Sequence, residues 1–285
     1  MSLHFTTYPN ATAFLAKVEH VLLPQEVTHS LILGLALQLK QTPDAYLTVL
    51  TATVEDEQGL LVSALMTPPF NLILHAHRAL NQDALALCIQ SIRQLQWPVP
   101  GVTSPANVAS DFVQIWQQQT GQTATLIEQE RVFELTEVNH PPAAPGTIRP
   151  VTDEDTELIT RWYHDFMEEA LPTENREGMK ERAIARIKQK QFYLWETPDG
   201  QAVSFAGKTR PIVHVISIGP VYTPPEQRGH GYASNLVAAL SQHLLDSGWQ
   251  KCSLFTNLAN PISNSIYQKM GYRPVVDFHR YNFQL

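Results

Sequence analysis

Three short stretches of this 285-residue chain hold residue types that could do chemistry. The first is Arg228-Gly229-His230-Gly231-Tyr232-Ala233, an R-x-x-G-x-[G/A] turn between an apolar strand and an amphipathic helix. Glycines at a helix start let the backbone approach a ligand with no Cβ in the way. The open N–H groups of the first turn and the helix dipole then suit a pyrophosphate, and Arg228 adds a fixed positive charge. The turn is not a P-loop, because no Gly-Lys-Ser/Thr follows, and its spacing does not fit the dinucleotide fingerprint. The second stretch is Gly219-Pro220, inside the apolar run 213–223. Proline has no N–H for a ladder bond, so it marks an edge or a bulge. A bulge would splay the strand and leave backbone amides for a linear, amide-bearing ligand; an ordinary edge strand explains the same residues. The third runs from Asn260 to Tyr272. Asn260 caps a helix there, and Tyr267 lies two turns on, on the side of Asn260 and Ser263. A tyrosine hydroxyl can donate a proton to a leaving thiolate, although most helical tyrosines simply pack.

In this order the three stretches resemble the GNAT-type N-acetyltransferase superfamily over residues 147–285. The resemblance rests on strand Val221-Tyr222-Thr223, the Arg228–Ala233 turn with its helix, the strand before Asn257, and the N-x-x-[A/S]-x-x-x-Y-x-K-x-G-Y helix. It implies the acyl-CoA N-acyltransferase fold, a mixed central α/β sheet with helices on both faces. It also implies acetyl-CoA as cosubstrate and no metal. The backbone of Arg228, Gly229, His230, Gly231, Tyr232 and Ala233 would hold the CoA pyrophosphate. Val221, Tyr222 and Thr223 would line the pantetheine, and Asn260 the cofactor arm, with Tyr267 near the thioester sulfur. The implied chemistry is direct attack of an amine on the thioester in a ternary complex. A backbone N–H near Val221 would stabilise the oxyanion, and Tyr267 would protonate the thiolate. For the general base the sequence offers His214, Ser217, Tyr222, Glu168 and Glu169. His214 suits the task by its ordinary pKa near 6.5, and a packed, uncatalytic role suits its strand position better. The acceptor expected is a small-molecule amine or an amino-acid-like compound, in a pocket lined by loops such as 171–178. A regulator that binds acetyl-CoA without turnover, and a protein N-terminal or lysine acetyltransferase, share the same motifs.

Regular elements must position these residues. Hydrophobic spacing predicts strand 147–151, then helices 153–169 (capped by Thr152 or Asp153) and 177–189. A hairpin 192–196/202–207 follows, then strand 213–223, helix 232–247, strand 252–256, helix 261–270 and closing strands 272–276 and 278–283. The first half has a similar rhythm. Helices 12–21 and 26–39 precede a hairpin of strands 46–54 and 60–66, turned at Asp56-Glu57-Gln58-Gly59. Strand 71–76, helix 82–95, a short strand 101–104, helix 106–118 and a strand pair 123–127 and 131–135 complete it. The expectation is therefore two tandem copies of one fold, residues 1–139 and 147–285. The proline-rich segment His140–Gly146 is read as a semi-stiff linker. The first copy has no glycine over Ala76–Asp83 and no Asn–Tyr pair at the right spacing. It is expected to be degenerate and unable to hold CoA in the usual way.

Composition narrows the classes further. With 44% hydrophobic and 16% charged residues, bulk disorder and a coiled coil are excluded. No apolar run reaches the ~18 residues of a membrane span. The start Met1-Ser2-Leu3-His4-Phe5 lacks a basic, signal-like region, and Cys88 and Cys252 are too few for a disulfide framework or a zinc site. A cytoplasmic protein is expected. The net charge of −7 lies wholly in residues 1–146, with five Lys/Arg against twelve Asp/Glu. Nucleic acid and membranes are accordingly poor partners. The acidic half is expected to wall the acceptor site and attract cationic amines through Glu55, Asp56 and Glu57. The basic run Arg176, Lys180, Arg182, Arg186, Lys188 and Lys190 reads as a solvated helix face. His75 and His77 share a strand face with no third metal ligand nearby in sequence, so they read as surface histidines.

Overall fold

The computed structural model describes residues 2–79, 81–170 and 178–284. In the first half, strand β1 (His4–Thr7), which the sequence does not announce, leads to helix α1 (Ala11–Leu22). The Asn10 carboxamide caps α1, accepting the Ala13 N–H at 2.9 Å. Pro24 opens a short 3-10 turn, so helix α2 (Ser30–Gln41) starts four residues later than predicted. Strands β2 (Leu50–Asp56) and β3 (Gly59–Met66) form the hairpin, and β4 (Leu72–Ala76) follows. Then come α3 (Gln82–Gln94), β5 (Gly101–Pro105), α4 (Ala106–Thr120) and β6 (Thr123–Leu135).

The second half repeats the order. It runs β7 (Thr147–Pro150), α5 (Thr156–Ala170), α6 (Met179–Lys188), β8 (Phe192–Glu196), β9 (Ala202–Thr209) and β10 (Val215–Tyr222). Helix α7 (Tyr232–Asp246), β11 (Lys251–Asn257), α8 (Pro261–Lys269) and β12 (Arg273–Gln284) complete it. Thr152 and Asp155 form a capping box before α5. Two predicted strand pairs are each one long strand, β6 and β12. The charged residues that look like turns in sequence are matched instead across these strands. Arg131 grips Asp277 at 2.7 and 2.9 Å, and Arg280 meets the buried Glu128 at 2.7 Å.

The chain divides into two compact units, but not at the proline-rich segment. The first comprises Met1–Val132, Thr256–Asn260 and Val275–Leu285; the second comprises Phe133–Phe255 and Pro261–Pro274. The predicted division at 140–146 differs because β12 does not close the second half. It runs antiparallel to β5, with Phe278 opposite Pro105 and Asn282 opposite Gly101. In the first unit the strand order is β1-β2-β3-β4-β5-β12-β6. Leu85 and Ile89 of α3 and Phe112 and Trp116 of α4 pack on this sheet with Tyr281 and Phe283. Helices α1 and α2 pack against β2, β3 and β4. Gly101 is required by the close approach of β12: a Cβ there would collide with the Tyr281 carbonyl oxygen.

In the second unit the order is β11-β10-β9-β8-β7. Strand β10 runs parallel to β11 and antiparallel to β9. Leu236, Leu240 and Leu244 of α7 pack with Ile216 and Ile218. Ile159 and Trp162 of α5 and Ile187 of α6 pack with Phe205 and Tyr222 on the opposite face. The result is a mixed sheet with helices on both faces. The proline-rich segment is pinned to this unit rather than spanning free. Asn235 Nδ2 donates to the Pro142 carbonyl at 3.0 Å and Trp195 Nε1 to that of Pro145 at 3.0 Å. Among the described residues no helix is long and apolar enough to cross a membrane.

In the first unit the acidic residues have local partners, and the histidine reading is corrected. Glu55 pairs with Lys17 at 2.6 Å, Asp56 with Arg78 at 2.5 Å, and Glu57 accepts the Ser2 N–H at 2.9 Å. Two of the three acidic side chains are thus ion-paired locally. His75 and His77 do not lie on the surface: His75 is 1% exposed. The residue before α2, His29, sets its ring 4.9 Å from His75 and 5.6 Å from His77. His29 Nδ1 contacts the Leu22 carbonyl at 2.8 Å, and His77 Nε2 the Ser63 hydroxyl at 2.8 Å.

Candidate functional site

The site is built on β10. Its register with β11 covers Val215–Ser217 against Lys251–Ser253, and the last rung carries a Ser217–Ser253 hydroxyl bond of 2.8 Å. Past that rung β10 runs on to Tyr222. On the other side, its register with β9 slips. Ile218 faces Lys208 and Val221 faces Ala206, so three steps on β10 match two on β9. Gly219-Pro220, a cis pair, fills this bulge. The proline that read as an edge or a bulge therefore marks a bulge, next to the point where β10 and β11 stop pairing.

A 3-10 turn over Pro225–Gln227 carries the chain to the glycine-rich turn. Gly229 and Gly231 have φ of +82° and +79°, a left-handed conformation that favours glycine. A Cβ at Gly229 would meet nothing within 4 Å, so that side of the turn is open. Gly231 is the N-cap of α7 and supplies no side-chain bond, so the first-turn amides are not capped from it. Arg228 Nε donates to the Thr223 carbonyl at 2.9 Å, and a terminal nitrogen donates to Glu169 at 2.6 Å. The Glu169 bond raises the Arg228 pKa, and the guanidinium lies 5.8 Å from the Tyr222 ring centre. Buried Ser204 donates to the Tyr222 carbonyl at 3.0 Å and contacts the Thr223 hydroxyl at 2.9 Å, which fixes the end of β10. The His230 ring stacks on Tyr232 at 5.5 Å. An open, uncapped helix start beside a guanidinium fits a pyrophosphate.

Residues 157–272 match the family model described as acetyltransferase (GNAT) family. They form a GNAT domain. Several solved structures share the fold across nearly the whole chain. A Drosophila protein superposes with a TM-score of 0.69 at 11% identity, covering 98% of each chain. A GCN5-related N-acetyltransferase from Sphaerobacter thermophilus gives 0.62 at 15% identity, over 99% of this chain and 95% of that one. A tandem GNAT protein from the clavulanic acid biosynthesis pathway gives 0.56 at 12% identity, over 99% and 98%. At these identities the likeness is one of fold, and it takes in the first half as well. No curated protein matches the sequence.

Within the GNAT domain, Tyr267 sits half-buried on α8, 5.8 Å from the Tyr272 ring and 6.5 Å from Phe133. Burial pushes its hydroxyl up to about 12, so it stays protonated at neutral pH. His214 is not brought to the other residues. It is exposed, it precedes β10, and its carbonyl accepts the Gln250 and Lys251 N–H groups at 3.0 and 3.1 Å. Val221 lies seven residues further on, roughly 20 Å along the strand. The reading of His214 as a catalytic base is thereby corrected. Ser217 is held by Ser253, and Tyr222 packs against Trp162 and Phe205. Asn260 groups with the first unit, where its N–H donates to the Asn257 carbonyl at 3.0 Å. Of the loop expected to line the acceptor pocket, residues 171–177 lie outside the described residues.

Sequence reading missed Ser204 and Arg186, which both secure β10. For Arg186 a signal exists: it lies three residues after Ala183 and seven after Met179, both buried on α6. In the first unit the corresponding helix start is closed. Asn81 caps α3, accepting the Ala84 N–H at 3.0 Å. Between β4 and β5, the Ser104 hydroxyl donates to the Leu74 carbonyl at 2.7 Å. The Asn81 carboxamide thus occupies a first-turn amide of the kind that the Gly231 N-cap leaves uncapped in α7.

Proposed function

We propose that the protein transfers an acetyl group from acetyl-CoA to the amine of a small-molecule or amino-acid-like acceptor in the cytoplasm. The observation that carries this reading is the pairing of an open, uncapped, two-glycine helix start with a bulged strand that parts from its neighbour. Bound acetyl-CoA supplies the acyl thioester. The amides of Gly229–Ala233 and the Arg228 guanidinium receive its pyrophosphate, and Val221 and Thr223 offer backbone partners to its arm. The amine attacks the carbonyl carbon, and the Val221 N–H stabilises the oxyanion that forms. As the C–S bond breaks, the Tyr267 hydroxyl gives its proton to the sulfur. The acceptor nitrogen releases one proton to solvent or to a base, and Tyr267 regains one from the same source, so the protons balance.

Calorimetric titration with acetyl-CoA tests the cofactor, and absence of binding at millimolar concentration would sink the reading. Free-thiol release over a panel of amines then separates turnover from binding alone. Gly231→Val forces a β-branched residue into left-handed backbone, at a cost of about 1–3 kcal/mol. Acetyl-CoA affinity is expected to fall about tenfold or more in that variant. Tyr267→Phe is expected to keep acetyl-CoA affinity and lose about 100-fold in thiol release. An unchanged rate would remove Tyr267 as the acid.

A further inference from the structure

We propose that Arg186 is a positioning residue of the acetyl-transfer site, holding the β10 bulge in the shape that presents the Val221 N–H to the thioester carbonyl. The proposal rests on the acetyltransferase reading above. Arg186 lies on the sheet-facing side of α6. One of its terminal nitrogens donates to two carbonyls, Lys208 at 3.2 Å and Gly219 at 3.1 Å. Lys208 belongs to the last regular rung before the bulge, and Gly219 lies in the bulge itself. A bulge takes backbone groups out of the ladder, and a buried carbonyl must then find another donor. Here one guanidinium serves both sides of the irregularity.

The guanidinium is itself held from three directions. Its Nε donates to Gln191 Oε1 at 2.8 Å, its carbon lies 4.5 Å from the Phe192 ring centre, and Tyr163 stands 5.9 Å away. Gly207 clears the space. A Cβ there would come within 2.9 Å of two Phe192 ring carbons and 3.0 Å of the Arg186 terminal nitrogen. Among the described residues its hydrogen bonds go to carbonyl and amide oxygens. Its bond to the Gly219 carbonyl sets the guanidinium two residues from Val221. Lysine would keep the charge but lacks the planar fork that can hold Gln191 and both carbonyls at once.

The test uses acetyl-CoA labelled with carbon-13 at the thioester carbonyl, bound to the full-length protein and followed by isotope-edited infrared spectroscopy. In the wild type the bound carbonyl band is expected below its free frequency. Arg186→Lys and Arg186→Met are expected to bind acetyl-CoA within about threefold of wild type, because the phosphate turn is untouched. Both should lose at least about half of the band shift, and kcat on the best amine should fall about tenfold or more. Variants whose band stays with that of the wild type would overturn the role of Arg186 and leave the acetyltransferase reading standing. A wild-type band that does not move would also overturn it. A wild type that binds no acetyl-CoA would instead remove the acetyltransferase reading, and this proposal with it. If Arg186→Met lacks a cooperative melt, Arg186→Lys decides; if both do, Gln191→Ala, which frees the same guanidinium, is judged by the same band.

Discussion

A protein stopped after Asp277 is expected to lose the cooperative unfolding of its first unit. The missing segment supplies the whole β12 partner of β5, Phe278 through Asn282. It also removes three aromatic side chains. Phe278 is 1% exposed, and Tyr281 and Phe283 pack against the first unit's core. Phe283 stacks on Trp116 at 4.5 Å with the ring planes 8° apart. Truncating a buried aromatic such as Phe278 to alanine costs about 3–5 kcal/mol, and losing two partly buried rings with it takes a large share of the ~5–15 kcal/mol of a typical domain. The ladder bonds add to the loss, since the β5 edge keeps no partner on that side. Trp116 reports the outcome through its emission, because its stacked ring is gone. Phe278→Ala alone is expected to destabilise by about 3–5 kcal/mol in denaturant titration. Should the truncated protein keep the wild-type melting curve and Trp116 emission, β12 would not be a structural part of the first unit.

That segment also shows where the sequence stops being legible. Elements bounded by local punctuation read well. Strand β8 matches its predicted span, and α7 begins at Tyr232 as predicted, because Gly200 and Gly231 mark turns by their own backbone needs. The R-x-x-G-x-[G/A] turn and the Gly219-Pro220 bulge are legible for the same reason: one or two residues dictate the backbone. The strands β6 and β12 read as broken because Glu128-Gln129-Glu130 is a polar run and Asp277 is a common turn residue. Their partners, Arg280 and Arg131, lie 152 and 146 residues away, beyond any local pattern. Arg186 suffers from composition in the same way. Its neighbours in the basic run suit a solvated face, and only its helical phase with Met179 and Ala183 points inward. A histidine pair on one strand likewise gives no hint of a third ring supplied by the turn before α2.

That third ring makes acid the second sharp test. Burial lowers the pKa of His29, of His75 well below its ordinary value, and of His77 to about 3, and neighbouring imidazoles push His75 and His77 further down. All three are therefore neutral in the folded first unit at neutral pH. The unfolded chain takes up their protons near pH 6.5, so it binds more protons than the folded state below that value. The stability that neutral burial allows is complete above about pH 6.5. It is lost as pH falls from there toward the folded pKa values, which for His77 means toward about 3. A histidine neutral in the fold and protonated in the unfolded chain contributes a slope of about 1.4 kcal/mol per pH unit, so His75 and His77 together approach about 3 kcal/mol per pH unit, and His29 adds in the same direction. The first unit is expected to unfold by about pH 4–5, before carboxylate protonation alone would open most domains. His75 carries the strongest desolvation, and its buried Nε2 has no hydrogen-bond partner among the described residues. Its 5.6 Å contact with the Phe278 ring suits an apolar replacement. His75→Leu should thus be at least as stable as wild type at pH 7 and should move the acid midpoint down by a measurable fraction of a pH unit. Equilibrium denaturation at a series of pH values gives both slopes. Parallel profiles for wild type and His75→Leu would mean that His75 is already protonated in the fold, and that the imidazoles are not what limits the first unit in acid.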